Sequence, residues 1–306
     1  YIIHCKLANM EKNQIIILED RSLIAIEGPE AKDFLQNIIS NDVNKVSKSC
    51  SIFSGIFTPQ GKYLYEFFII NNNGGFFLDC DNTLKEELIK HLLKYKLRSK
   101  VEIKDLSSSY VIGITSEEKF KEIQNETGSN EKTISYRESP FFLDTRSAKL
   151  GARILSSLEK LHLTIKKLNL KIVEKSNYLK TAHAEGIPIQ GIKSLQDNLF
   201  GLESNFEELN AIDFKKGCYV GQENTARMKL KNKVRRKLVP IISKNNLKIS
   251  DEIKFKDKVV GKVLIDGTYP FALIKLFDPN FSEFYKEHLK VNETDLQILV
   301  PSYFKI

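Results

Sequence analysis

Short apolar strand segments that alternate with amphipathic helical segments are the feature that most limits how this chain can fold. Residues 14–28 show two strand patterns around a polar turn, and a helical pattern with Phe34 and Ile38 on its apolar face follows. Residues 51–57 and 63–70 flank four residues that include proline and glycine, which favour a tight turn. The first hundred residues therefore predict a hairpin-containing sheet covered by helices.

A second group of elements repeats this order. Residues 110–115 form a predicted strand, residues 117–126 a helix and residues 141–144 another strand. Hairpins mixed with helices indicate α+β layers, in which helices cover one face of largely antiparallel sheets. The pattern fits an α+β fold with two ferredoxin-like halves.

The last quarter of the chain differs from the rest, because helical patterns fade after residue 233 and short strands follow at residues 238–243, 259–265 and 271–276. Short strands between turn residues are typical of a small all-β module. We therefore predict an α+β domain at residues 1–232 and a small C-terminal β-barrel at residues 233–306, with the boundary in a charge-dense segment.

Composition and the placement of cysteines limit the class of protein. With 42% hydrophobic and 28% charged residues, the chain is typical of globular proteins. Its 4 cysteines and 5 histidines are scattered without metal-ligand spacing, which predicts reduced thiols, no metal site and a cytoplasmic location. Apolar runs are far shorter than the roughly 20 residues that cross a bilayer, and no signal-peptide pattern is present.

The net charge of +8 favours anionic partners. The basic stretch at residues 229–237 raises the alternative of nucleic-acid binding, although charge runs are usually solvated linkers or edge strands. It lacks the interleaved aromatic residues of single-strand binders. Direct nucleic-acid contact is therefore disfavoured, and the charge alone does not choose between phospholipid headgroups and a small polyanionic ligand.

The segment DFKKGCYVGQENTAR at residues 213–227 carries the sharpest chemical signal. Glycines on both sides of Cys218 permit tight turns. A helix that begins near Gln222 would stabilise the thiolate and lower the thiol pKa, and so would the cations Lys215, Lys216 and Arg227. The segment thus predicts a reactive cysteine, whereas a lone cysteine in a glycine turn is more often a small buried hydrophobic residue.

KGCYVGQE followed by Arg227 resembles the signature of the YgfZ family of folate-binding proteins, which are related to the glycine-cleavage aminomethyltransferase and to mitochondrial iron-sulfur assembly factors. The resemblance extends over residues 18–43, 57–69, 95–98, 144–146, 186–188 and 202–214. It implies an aminomethyltransferase-type folate-binding domain, followed by the C-terminal barrel.

The resemblance also implies roles for particular residues. Cys218 and Lys216 match the family's functional cysteine and its lysine neighbour, and we predict them as catalytic residues. The predicted folate-binding residues are Arg21, Glu66, Tyr178, Glu203, Gln222 and Arg227. A polyglutamylated folate would suit a basic groove, because lysine and arginine pair with its carboxylates.

The chain departs from the aminomethyltransferases at one motif. Tyr65 and Glu66 stand where those enzymes have paired aspartates. Methyl-transfer chemistry is therefore disfavoured, because about 1 Å of misplacement can cost roughly two orders of magnitude in rate. The alternative for these two residues is a strand with alternating exposure. Asp144 and Arg146 are interpreted as an ordinary surface pair.

The resemblance implies a tetrahydrofolate-binding accessory protein that supports iron-sulfur cluster assembly or repair and, through it, tRNA modification. Its partners would be folate and iron-sulfur assembly or client proteins. A conventional turnover enzyme is disfavoured. The alternatives are an aminomethyltransferase-like one-carbon transferase that uses tetrahydrofolate, and a basic nucleic-acid-binding module.

Overall fold

The computed structural model describes residues 10–292 and 294–304, so Cys5 lies outside the described residues. In chain order the strands are β1 (Gln14–Leu18), β2 (Arg21–Glu27), β3 (Ile52–Phe57), β4 (Tyr63–Asn72), β5 (Gly75–Asp81), β6 (Glu102–Asp105), β7 (Val111–Thr115), β8 (Thr133–Tyr136), β9 (Ser139–Leu143), β10 (Ala152–Ser156), β11 (Lys171–Ile172), β12 (Arg236–Ser243), β13 (Glu252–Phe255), β14 (Lys258–Ile265), β15 (Phe271–Lys275), β16 (Leu289–Val291) and β17 (Thr294–Ile298). The α-helices are α1 (Ala31–Ile38), α2 (Lys85–Lys96), α3 (Glu117–Glu126), α4 (Leu158–Lys167), α5 (Ser176–Ala184), α6 (Gln222–Leu230) and α7 (Phe281–Phe284).

The first of two compact units contains both α+β halves. It comprises the residues up to Ile56, Tyr65–Tyr178 and Leu209–Val220. One sheet has the strand order β3-β4-β5-β2-β6 and the other the order β11-β1-β7-β10-β9-β8. Helices α1 and α2 pack on the first sheet, and α3 and α4 pack on the second. The predicted helix-covered sheets are therefore present.

Apolar periodicity explains the packing of α1. Its buried side chains are Ala31, Phe34, Leu35 and Ile38, which share one face of the helix. The residues at the centre of β2 are buried on both faces of the sheet, since Ile24, Ala25 and Ile26 are all fully covered. A strand covered on both sides gives a continuous apolar run.

The second unit contains the barrel, and it comprises Phe57–Leu64, Leu179–Glu208 and the residues from Gly221 onward. Strands close in the order β12-β15-β14-β13-β16-β17. Its core includes Val239, Ile241 and Ile253 from the strands, with Phe281 and Phe284 from α7 packed against them. Closure pairs the edges of the sheet, which an open sheet would leave exposed. The division of the chain at residue 232 stays a prediction.

One local prediction was wrong. Tyr65 and Glu66 do not alternate in exposure, because both are buried. They lie in β4, whose neighbours in the sheet are β3 and β5. Within the described residues, no helix is long and apolar enough to span a bilayer.

Candidate functional site

A buried network of arginine and aspartate side chains occupies the interior of the first unit. Arg21, at the start of β2, donates from Nε to Asp79 Oδ1 at 2.6 Å. Arg153 of β10 donates from Nη1 to Asp79 Oδ2 at 2.7 Å. Asp79 therefore joins two arginines that come from the two different sheets.

Asp144 and Arg146 extend this network. Arg146 Nε and Nη2 donate to the two Asp144 oxygens at 3.0 and 2.8 Å, and the side chains are 2% and 0% exposed. The Arg146 guanidinium also lies 5.0 and 4.8 Å from the ring centroids of Phe53 and Phe68. The prediction of an ordinary surface pair was wrong, because aromatic side chains of β3 and β4 cover the pair.

Three predicted folate-binding residues meet at this network. Arg21 is a member of it, and the Tyr178 hydroxyl accepts a hydrogen bond from Arg153 Nη2 at 3.0 Å. The buried Glu66 carboxylate interacts electrostatically with Arg146. The structure thus brings Arg21, Tyr178 and Glu66 into one buried region.

Neighbouring opposite charges keep Asp144 and Arg146 ionised although both are buried. Burial opposes ionisation of the Asp144 carboxyl, but Arg146 and Arg153 outweigh burial, so the pKa of Asp144 is lowered. Burial likewise opposes the charge of Arg146, but Asp144 outweighs it and raises the Arg146 pKa. Asp144 and Arg146 therefore both stay ionised at neutral pH.

The threonine between Asp144 and Arg146 has an unsatisfied polar atom. The Oγ1 atom of Thr145 is buried and has no hydrogen-bond partner among the described residues. Buried polar atoms are normally paired, so each exception needs an explanation. A ligand that donates or accepts a hydrogen bond here would satisfy this hydroxyl.

The turn that carries Cys218 is attached to α1. Cys218 itself is exposed. Lys216 is buried, and its Nζ donates to the carbonyl oxygens of Gln36, Ile39 and Asn41 at 2.8, 2.6 and 3.0 Å. The last carbonyls of a helix have no partner within the helix. Lys216 therefore caps α1 and holds the turn on it.

The cysteine turn also borders a cavity. Val220, whose backbone N–H donates to the Asn37 carbonyl at 3.2 Å, lines a cavity of about 370 Å³ together with Phe34 and Tyr95. Glu30 and Asp33 contribute carboxylates to the same lining. The exposed thiol thus lies two residues from a cavity wall.

Burial lowers the pKa of Lys216 to about 8, although Asp42 and Asp213 oppose the shift. Between about pH 8 and the ordinary lysine pKa of 10.5, the unfolded chain therefore holds a proton that the folded chain has released. Stability then rises with pH in this window.

Replacement of Lys216 by methionine should remove this pH dependence. The difference in unfolding free energy between wild type and Lys216→Met is expected to grow above pH 8 by at most about 1.4 kcal/mol per pH unit. Urea denaturation at several pH values measures the difference. Lys215→Met supplies the control, because it removes the same charge from a neighbouring side chain that is exposed. A difference for Lys216→Met that does not change with pH would contradict the lowered pKa of Lys216.

Helix α6 begins at Gln222, as predicted, and Gly221 precedes it with a φ of 85°. A Cβ at Gly221 would lie 2.5 Å from the Thr58 carbonyl oxygen, so this position requires glycine. Gly217 is different, because a Cβ there would meet no atom within 4 Å. Of the two glycines that flank Cys218, only Gly221 therefore occupies a position that requires glycine.

The remaining predicted folate-binding residues lie in the second unit. Glu203 is buried and accepts from Arg236 Nε and Nη2 at 2.8 and 3.1 Å. Arg227 pairs with Glu223, one turn earlier in α6, at 2.6 Å. Folate binding by Glu203, Gln222 and Arg227 stays a prediction. Catalysis by Cys218 and Lys216 also stays a prediction.

The basic stretch at residues 229–237 is partly neutralised. Lys229 pairs with Glu207, Arg236 with Glu203, and Lys237 with Glu208. These cations are engaged with carboxylates of the same unit. Neither the interpretation as a solvated linker nor the interpretation as a nucleic-acid site predicted these ion pairs.

Sequence reasoning missed Asp79 and Arg153. Each is a charged residue inside an otherwise apolar strand, Asp79 in GFFLDCD and Arg153 in ARILS. A charge in such a strand must be buried with a partner, because an unpaired buried charge is very costly. The sequence contains this signal at both positions, but it does not show that Asp79 and Arg153 pair with each other. The described residues contain no group of three or more potential metal-ligating side chains.

Comparison with known proteins gives relatives and a fold. No family model matches the chain. The chain is 27% identical over 297 residues to the mitochondrial iron-sulfur cluster assembly factor IBA57 homolog of Dictyostelium discoideum, with 88% of this chain and 71% of the relative covered. It is 27% identical over 240 residues to the mitochondrial iron-sulfur cluster assembly factor IBA57 of Homo sapiens, with 73% and 65% covered. The Neurospora crassa relative is covered over 52% of its length, so the chain spans about half to seven tenths of these relatives.

The structural comparison confirms the fold class. The glycine cleavage system aminomethyltransferase T of Bartonella henselae matches with a TM-score of 0.73 and 12% identity, over 97% of this chain and 87% of that chain. The predicted aminomethyltransferase-type fold is thus confirmed, and the sequence relatives named above are iron-sulfur cluster assembly factors, as the resemblance implied.

The predicted cytoplasmic location was wrong. The relatives from Dictyostelium discoideum, Homo sapiens and Mus musculus are all named as mitochondrial proteins. Scattered reduced cysteines exclude only oxidising compartments. They do not distinguish one reducing compartment from another.

Proposed function

We propose that this protein binds a tetrahydrofolate and supports the assembly or repair of iron-sulfur clusters in mitochondria, with the Cys218 thiol as its reactive group. The observation that carries this proposal is the exposure of Cys218 on a turn that Lys216 attaches to α1. An effect on tRNA modification would follow indirectly, through iron-sulfur enzymes that perform it.

The contrast among the cysteines supports Cys218. Cys80 is buried, and burial raises the pKa of its thiol to about 12, so it stays protonated and enclosed. Cys50 is only half-buried but lies outside the glycine-flanked motif. A thiol must reach its partner to attack, exchange or bind a metal ion. Cys218 meets this requirement among the described cysteines.

The buried network supports the folate assignment. A pterin ring has an amino group and ring nitrogens that donate and accept hydrogen bonds, which suits carboxylates and guanidinium groups. Glu66, Arg146 and Tyr178 offer these groups in one region, and the Thr145 hydroxyl is unpaired there. Phe53 and Phe68 supply aromatic surface beside Arg146. We infer that these residues hold the pterin, and a bound tetrahydrofolate would supply a carrier for one-carbon units.

The relatives support the cellular role. Proteins from Dictyostelium discoideum and Homo sapiens that match most of this chain are named iron-sulfur cluster assembly factors. Iron-sulfur assembly or client proteins are therefore the proposed partners. An exposed cysteine without further potential ligands nearby in sequence would need additional ligands from such a partner to hold iron.

Removal of the Cys218 thiol should separate ligand binding from cellular function. Cys218→Ala is expected to bind tetrahydrofolate with wild-type affinity in calorimetry, because none of the proposed pterin-binding side chains changes. In cells that lack the native protein, the same variant should leave iron-sulfur enzyme activity at the level of the deficient cells.

Cys50→Ala provides the matched control and should restore that activity fully. Restoration by Cys218→Ala would remove the thiol from the proposed function. Absence of tetrahydrofolate binding to the wild type would remove the folate assignment while leaving the result on the thiol intact.

A further inference from the structure

A second cavity in the first unit is separate from the residues discussed so far. It has a volume of about 620 Å³ and lies among the ends of β4 and β10, the beginnings of β8 and β9, and the start of α4. Small-molecule sites usually have volumes of about 300–1,000 Å³. Neither the Asp79 network nor the Cys218 turn contributes to its lining.

Hydroxyl and amide side chains dominate this cavity. Of its 18 lining residues, 9 are serine, threonine or asparagine, including the consecutive Asn71, Asn72 and Asn73. Amide and hydroxyl groups both donate and accept hydrogen bonds. Such a lining complements a ligand that carries several hydroxyl groups.

Two of the lining hydroxyls hold each other in place through a hydrogen bond. Ser139 and Ser156 are buried, and their Oγ atoms lie 2.9 Å apart in a hydrogen bond. One hydrogen bond uses one of the two hydroxyl protons, so the pair keeps a second proton and further lone pairs. A ligand hydroxyl can therefore bind here without disturbing the pair.

An aromatic pair forms another part of the wall. The rings of Phe77 and Tyr110 both line the cavity, with centroids 5.6 Å apart and planes tilted by 53°. Aromatic faces bind the apolar face of a sugar ring or a planar base. The lining thus combines polar groups with an aromatic surface.

Lysine residues give the rim of the cavity a positive charge. Lys48 and Lys160 line it together with one carboxylate, that of Glu138. Lys160 Nζ donates to Glu138 Oε2 at 2.6 Å, but the two side chains are 45% and 85% exposed. Exposed ion pairs are weak, so Lys160 can exchange this partner for an anionic ligand group. Lysine is a common binder of phosphate.

We propose that this cavity binds a sugar phosphate, either free or as the sugar phosphate of a mononucleotide. The serine and asparagine side chains contact the sugar hydroxyls, and Lys48 and Lys160 pair with the phosphate. The aromatic pair contacts the sugar ring or the base.

Calorimetry on the full chain tests this proposal with AMP, a ribose phosphate and inorganic phosphate as probes. Saturable binding of AMP or the ribose phosphate is expected, and Lys48→Ala with Lys160→Ala should weaken it about tenfold or more, because two charge-assisted hydrogen bonds are lost. Lys167→Ala changes an exposed lysine of the same helix outside the cavity and should leave affinity unchanged.

The probes separate the sources of the ligand. Tighter binding of AMP identifies a mononucleotide, and equal binding of both probes identifies a sugar phosphate. The proposal is overturned if neither probe binds more tightly than about 1 mM, if inorganic phosphate binds as well as both, or if the double lysine variant binds like the wild type. Unfolding curves of the variants verify that they are folded.

Discussion

Asp79→Ala is expected to lower the free energy of unfolding by about 3–5 kcal/mol. Asp79 accepts from Arg21 and from Arg153, and the Arg153 side chain is 1% exposed. Removal of this carboxylate leaves two buried guanidinium groups without the partner that they share. Urea denaturation at neutral pH measures the loss.

Asp105→Ala is the matched control for this variant. Asp105 lies on β6 of the same sheet and pairs with Lys85 at 2.7 Å, but its side chain is 37% exposed. Asp105→Ala also removes exposed hydrogen bonds from the Ser107 N–H and Oγ, so the total loss should be about 1–2 kcal/mol. Equal destabilisation by the two variants would show that the buried network contributes no more to stability than an exposed ion pair does.

Gly221→Ala is the second change with a large expected effect, about 2–4 kcal/mol of lost stability. The backbone φ of 85° is strained for any residue with a Cβ, and that Cβ would lie 2.5 Å from the Thr58 carbonyl oxygen. Backbone atoms cannot move aside as a flexible side chain can. The variant should also disturb the start of α6.

Gly217→Ala should change stability by less than about 0.5 kcal/mol, because a Cβ there meets no neighbour within 4 Å. Thermal unfolding of the two variants side by side measures the contrast. If Gly217→Ala destabilised the protein as much as Gly221→Ala, the assignment of a glycine requirement to position 221 alone would be wrong.

Local patterns in the sequence were sufficient for most elements. The start of α6 at Gln222 and the apolar face of α1 agree with prediction, since both depend on residues within a few positions of each other. Three of the six barrel strands, β12, β14 and β15, were also predicted from their apolar residues and the turn residues between them. The folate-binding resemblance could be recognised from contiguous motifs around Cys218.

Contacts between distant residues could not be predicted in this way. Lys216 caps a helix that ends near residue 38, and no spacing rule links two segments so far apart in the chain. The burial of Asp144 and Arg146 was missed for the same reason, because Phe53 and Phe68 cover them from another part of the sequence. Tyr65 and Glu66 are both buried because both faces of their strand are covered.

Neighbouring positions along the chain specify the α+β fold with its barrel and the glycine-flanked cysteine, because periodicity, turn residues and motif are local properties of the sequence. Tertiary structure alone decided that Asp79 pairs with Arg21 and Arg153, that Lys216 reaches α1, and that serine and asparagine side chains gather around a cavity. These arrangements depend on which strands become neighbours. A buried charge needs a partner of opposite charge, and here that partner comes from a distant part of the sequence.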